Sequence, residues 1–185
     1  AVSLMKIAND IRWMGSGPRG GLGEITLPEV QPGSSIMPGK VNPVIPESVC
    51  QVAVQVIGND AAIGLAGQSG NFEINVMMPI AAYNLLQSID ILSTACSNLS
   101  IQCIEGIKAT ETGPTMVEKG LAIVTTLVPY IGYDESARIA HTAQESGRNI
   151  MEVAQEETSL SESDLIKILN PESMTEPGGS GVSIG

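Results

Sequence analysis

An all-α fold is predicted, with long central helices of an oligomeric helical bundle and a small C-terminal helical domain. Three observations carry it. No Lys or Arg occurs between Lys40 and Lys108, and the acids in that stretch are only Glu47, Asp60, Glu73, Asp90 and Glu105. Within it, Met78, Ala82, Leu85, Ile89, Leu92, Cys96, Leu99 and Cys103 alternate by four and three residues, a packing seam for another helix. After Gly106 the charge returns and the apolar segments shorten. Residues 1–110 are therefore read as part of a central helical domain, and 111–185 as a small helical domain with a disordered tail.

Taken in order, Leu4, Ile7, Ala8, Ile11 and Met14 recur at a helical period, and Gly15 and Gly17 end the run. The stretch from 15 to 46 is rich in glycine and proline and is expected to be mostly loop, with Glu24–Leu27 briefly extended. Glu47 to Ala66 carries Val, Ala, Ile and Leu on every side, the mark of a helix buried all round. At about 1.5 Å per residue it spans roughly 30 Å. A membrane span is the competing reading. Glu47, Gln51, Gln55, Asn59 and Asp60 recur on one side with no flanking basic cluster, which argues against it. The second long helix is expected from Pro79 to Glu105, with proline in its first turn. Neither helix can be covered on all sides by one chain of this size, so both are placed at the centre of an oligomer.

Beyond Gly106, Thr110–Pro114 reads as a break before a helix running to about Val124. Asp134 is expected to cap a helix ending near Gly147, Asn149 another, and Ser161, with Asp164 behind it, a last one stopped by Asn170–Pro171. Ile139, Ala143, Ile150, Val153, Leu165 and Ile168 form the expected core of this part. Met174 to Gly185 is glycine- and serine-rich and expected to be disordered.

Composition limits the function. With 185 residues and 43% hydrophobic content the chain can bury a core, filled mainly by aliphatic side chains because aromatics make up only 3%. A net charge of −11 argues against nucleic acid and anionic membranes as partners. Any anion site must be positive locally, and Lys40, Arg12 and Arg19 are the nearby cations in sequence. Cys50, Cys96 and Cys103 have no metal-like spacing and fall in apolar helical patterns. They are expected as buried free thiols, which favours a reducing, cytoplasmic location. The opening Ala1–Lys6 has no signal-peptide layout and reads as a cut through a longer chain. His141, the only histidine, is read as a surface or local packing residue.

The chemistry concentrates in Gly33-Ser34-Ser35-Ile36-Met37-Pro38-Gly39-Lys40-Val41-Asn42-Pro43. Two hydroxyls, a cation and an amide lie here on backbone that the prolines exclude from a helix interior. Lys40 and Asn42 suit a carboxylate, one as a point charge and the other as an amide donor. The loop precedes a long helix whose N-terminus favours anions. By composition alone a linker is the favoured reading, and Ser34 cannot be separated from Ser35.

The stretch resembles the signature loop of the aspartase/fumarase superfamily, GSSxMPxKxNP, at every fixed position. Gly39, Gly70-Asn71-Phe72-Glu73-Ile74-Asn75, Lys6–Trp13 and Ser16-Gly17-Pro18-Arg19 are similar to class II fumarases in particular. The resemblance runs to about Leu169 and matches the C-terminal portion of the longer family chain. It implies reversible hydration of fumarate to L-malate, a tricarboxylic acid cycle step, without metal or organic cofactor. It implies Ser34 as catalytic base, Lys40 and Asn42 as the carboxylate-binding pair with Ser35 beside them, and Glu47 as the acid that pairs with a catalytic histidine. That histidine is expected in an N-terminal region beyond these residues. A homotetramer, with each active site assembled from several subunits, is also implied, so this piece holds one wall of a site and is expected to be inactive alone. Two other functions are weighed: aspartase or another lyase of the superfamily, and a catalytically inactive structural or oligomerisation protein.

Overall fold

A computed structural model describes residues 1–17, 19–31, 37 and 40–175. Among them the chain is all-α apart from one two-stranded ribbon. It separates into two compact units, Ala1–Thr110 and Glu111–Gly185.

Three helices build the first unit: α1 (Val2–Met14), α2 (Val44–Gly67) and α3 (Met78–Gln102). The period of α1 turns Ala8 and Ile11 inward, onto Val49 of α2 and Ala95, Leu99 and Cys103 at the end of α3. α2 starts at Val44 rather than Glu47. Pro46 lies in its first turn, where the missing N–H has no intrahelical partner to lose. α3 stops at Gln102 rather than Glu105, because the chain tightens there into a 3-10 turn at Ile104–Gly106. Strand β1 (Ile25–Thr26) was expected from Glu24–Leu27. Its antiparallel partner β2 (Lys108–Ala109) was not, and the ribbon ties the long loop to the exit of α3.

α2 and α3 form an antiparallel hairpin through the Gly70–Asn75 segment. Asn75 donates through Nδ2 to the Ala66 carbonyl (2.9 Å) and accepts through Oδ1 from the Met77 N–H (2.8 Å). It closes one helix and opens the next. Asn71 and Ile74 pair backbone to backbone, while Phe72 and Glu73 between them take positive φ angles of 49° and 23°. Midway along the hairpin the buried Asn59 donates to Gln87 and Ser88, both at 3.0 Å, and accepts from Gln55 at 2.9 Å. A buried polar cluster of this kind sets helix register more than it adds stability. By length and composition α2 could cross a membrane, yet this cluster holds it to α3.

Two expectations need correction for the single chain. α2 is buried along one stripe (Pro46, Val49, Ala53, Asn59, Ala66) and not all round. α3 is buried only at Asn84, Ala95 and Leu99. Of the predicted seam, Met78, Ala82, Leu85, Ile89 and Cys96 face solvent. One helix pair can cover only one stripe of each member, so the remaining apolar faces stay open. For the same reason the three thiols are not uniformly buried: Cys103 is, Cys50 is intermediate and Cys96 is exposed.

The second unit holds α4 (Thr112–Lys119), a 3-10 segment at Ala122–Leu127, α5 (Val128–Ile131), α6 (Tyr133–Ser146), α7 (Ile150–Glu157), α8 (Glu162–Ile168) and a 3-10 turn at Pro171–Met174. α4 includes the predicted break, since Gly113 and Pro114 are tolerated in a first turn, and it stops at Gly120 rather than Val124. Gly132, not Asp134, caps α6; Asp134 lies inside the first turn, where a carboxylate still favours the helix dipole. Gly147 ends α6 at φ 71°, a left-handed conformation that a side chain disfavours. Asn149 and Glu152 form a reciprocal capping box on α7, and Ser161 caps α8 by accepting from the Asp164 N–H. Arg148 donates to Glu156 (2.8 Å) and holds its carboxyl below the usual carboxylate range. Stability from that pair is present above the unfolded carboxyl's pKa and fades as pH falls through the lowered one; the exposure of the Glu156 side chain keeps it small.

The core of this unit is Ile123, Leu127, Ile139, Ala143, Ile150, Val153, Ala154, Leu165 and Leu169, with Ile168 only partly buried against it. Met174 belongs to the last 3-10 turn, and the rest of the expected disordered tail, from residue 176 on, lies outside the described residues. Leu127→Ala removes a side chain that is 0% exposed and is expected to cost about 2–5 kcal/mol. Denaturant unfolding followed by circular dichroism checks this, the transition shifting to lower denaturant.

Candidate active site

The site is built where α1 ends and α2 begins. After Met14 the chain folds into a tight loop held by Ser16, whose Oγ donates to the Trp13 carbonyl (2.6 Å) and accepts from the Leu22 N–H (3.0 Å). The Ser16 carbonyl also accepts from Gly23 N–H at 2.7 Å. A side chain at Gly21 would bring its Cβ to 2.4 Å from the Ser16 carbonyl carbon, so only glycine closes this loop. Thr110 anchors the loop's far side, donating from Oγ1 to the Gly23 carbonyl (2.6 Å).

Facing it, Lys40, Val41, Asn42 and Pro43 lead into α2, whose first turn carries Glu47. Glu47 N–H donates to the Pro43 carbonyl at 3.0 Å. Together with Arg12, Trp13, Gly15, Ser16 and Gly17 these residues line an open cleft of about 460 Å³. Lys40, Asn42 and Glu47, singled out in the sequence, thus share one cavity. Arg12 joins them, with Nη2 3.9 Å from Glu47 Oε1 and Nη1 donating to Asn9 Oδ1 at 2.8 Å. The Lys40 ammonium has no ion-pair partner among the described residues. Ser34 and Ser35 lie outside the described residues. Arg19 is exposed and does not line the cleft. Trp13 and Ser16 were missed as cleft residues; the Ser-Gly-Pro run after a helix end was the available signal.

Chemically the cleft offers an ammonium, an amide and the positive end of a helix of 24 residues, a set suited to a carboxylate. Glu47 adds an acid at its edge. Among the described residues no three His, Cys, Asp or Glu side chains are grouped to hold a metal. His141 is exposed in the second unit, on an apolar cleft of about 580 Å³ beside Val128, Tyr133 and Ala137.

Comparison with known proteins agrees across the chain. Residues 1–58 match a family model described as lyase, and 123–176 one described as fumarase C C-terminus. The chain is 51% identical to a class II fumarate hydratase of Mesorhizobium japonicum, over 96% of this chain and 38% of that one. It is 54% identical to an aspartate ammonia-lyase of Pseudomonas aeruginosa, with the same two coverages of 96% and 38%. Among solved structures, a class II fumarase of Schistosoma mansoni superposes with a TM-score of 0.84 at 37% identity, covering 94% of this chain and 36% of that one. A native-form fumarate lyase:delta crystallin of Brucella melitensis gives 0.78 at 51% identity, covering 92% and 38%. The chain spans 38% of the length of the relatives it matches.

Proposed function

The chain belongs to the aspartase/fumarase lyase superfamily, and from that premise we propose that it carries one wall of the active site of a fumarate hydratase. The observation that carries the reading is the convergence of Lys40, Asn42 and Glu47 on one cleft. Gly39 and the Asn71-Phe72-Glu73 triplet favour hydration over deamination. In the malate-to-fumarate direction, a base takes a proton from the carbon next to a carboxylate, and the electron pair moves onto that carboxylate. Lys40 and Asn42 hold the resulting extra negative charge, and hydroxide leaves as water with a proton from an acid. Ser34, by its match to the family pattern, is the proposed base, with Ser35 on the same carboxylate. Glu47 pairs with a histidine supplied from outside this chain's residues. Donors set in place before charge develops are the largest lever on such a barrier.

Aspartate deamination is the second reading, favoured by the 54% identity to an aspartate ammonia-lyase. The same first half-reaction serves both, and only the leaving group differs. We further propose a homotetramer with active sites shared between subunits, supported by the uncovered apolar faces of α2 and α3, and a cytoplasmic location. The test is an assay of the full-length protein on L-malate and on L-aspartate. Fumarate from malate without ammonia from aspartate is expected. Ammonia release transfers the assignment to the deaminase, and silence on both favours the structural protein. Ser34→Ala is expected to abolish most turnover with the helical content kept; near-normal turnover reassigns the base to Ser35.

A further inference from the structure

The cleft contains two cations and one acid, so its formal net charge is +1 in a chain whose total is −11. That balance depends on Arg12. Its contact with Glu47, 3.9 Å between groups that are 40% and 39% exposed, is too long and too wet to contribute much to stability. Yet the guanidinium is held with care. Nη1 donates to Asn9, whose Oδ1 also takes a contact from Cys50 Sγ of α2 at 3.7 Å, so the fork is tied to both helices. Its Nε is buried with no partner among the described residues, a cost that folds seldom accept without return.

We infer that Arg12 is a positioning residue of the anion site: its charge offsets Glu47 and leaves the Lys40 ammonium free to meet a dicarboxylate. The inference rests on the proposed reading of the cleft as a dicarboxylate site. Without Arg12 the cleft holds one cation and one acid. Glu47 then competes with the ligand for Lys40, and a dianion approaches a cavity of no net charge inside an acidic protein. With Arg12 in place Glu47 is screened, keeps its orientation on the first turn of α2, and stays available for its own partner. Nothing in this role needs Arg12 to touch the ligand.

The experiment is a double-mutant cycle in the full-length protein, read by calorimetric binding of succinate, an unreactive dicarboxylate, alongside turnover of malate and aspartate. Arg12→Gln is expected to weaken succinate about tenfold, and Arg12→Lys, which keeps the charge, by less than about threefold. In a Glu47→Gln background, where no acid remains to be offset, Arg12→Gln is expected to cost about threefold or less, since Lys40 is then unopposed. Equal loss in both backgrounds makes Arg12 a merely structural residue and overturns the inference, as does unchanged binding in the single variant. Wild-type protein that turns over neither substrate sinks the lyase reading instead, whatever the cycle reports.

Discussion

Replacing Lys40 with methionine is expected to lower turnover roughly ten- to hundredfold, the largest effect of any substitution among the described residues of the cleft. Methionine keeps much of the stem and removes the ammonium, so the change isolates charge from packing. A ground-state contact alone would raise the Michaelis constant and leave turnover nearly constant. An ammonium that meets charge developing on the carboxylate must lower turnover as well. The second pattern is expected, because Lys40 carries no ion pair among the described residues and its charge is uncommitted until a ligand arrives. Charge-assisted bonds in closed sites are worth about 1.5–3 kcal/mol, which sets the range. Lys40→Arg is expected to rescue poorly, since the longer planar fork cannot reproduce a compact ammonium. Steady-state kinetics on the full-length protein decides, and full activity in Lys40→Met removes the carboxylate from this cleft.

Lys40 and Arg12 are thereby assigned different measurable duties. Both are cations in one cavity, but among the described residues Arg12 is ion-paired with an acid and Lys40 is not. Loss of Arg12 is expected mainly in binding, and loss of Lys40 mainly in turnover.

Much of this was legible from residue order because the signals were local. Ser161 with Asp164 announces a helix start through one side chain and one N–H three positions on, and Gly147 a helix stop through a backbone angle. Where a longer-range partner decides, the reading stopped short. Lys108–Ala109 becomes a strand only because Ile25–Thr26 lies beside it. Asp134 lost its cap position to Gly132, which at a positive φ of 83° ends α5 and opens α6 at once. In the site, Lys40, Asn42 and Glu47 were readable from one run of sequence. Trp13 and Ser16 were not, because their place on the cleft comes from hydrogen bonds that fold the 16–23 loop back onto α1. The α3 seam was legible as a seam but not as the face left open. Its period identifies a packing surface without saying which helix packs there.

That open face supports a second large effect: Ile89→Asp is expected to break the assembly of the full-length protein and, with it, activity. Ile89 is 58% exposed in the single chain, and its seam neighbours Met78 and Leu85 are 67% and 52% exposed. A carboxylate there meets water, so the fold of one chain should change by no more than about 0.5 kcal/mol. If the seam is covered by the α2–α3 hairpin of another copy, the same carboxylate is buried against a stretch in which no Lys or Arg occurs between Lys40 and Lys108. Burying an unpaired charge costs several kcal/mol, and symmetry repeats that cost in every copy. The two environments therefore give opposite results for one substitution. Analytical ultracentrifugation is expected to show the wild type as a tetramer and Ile89→Asp as a smaller species of unchanged helical content. Activity should fall with assembly if, as proposed, each site is shared between subunits. Phe72→Asp, a change at the 97% exposed tip of the hairpin, makes a useful contrast because the tip lies off the seam. A wild type that sediments as a monodisperse monomer, or an Ile89→Asp variant that assembles normally, shows that α3 does not pack against another copy along this seam.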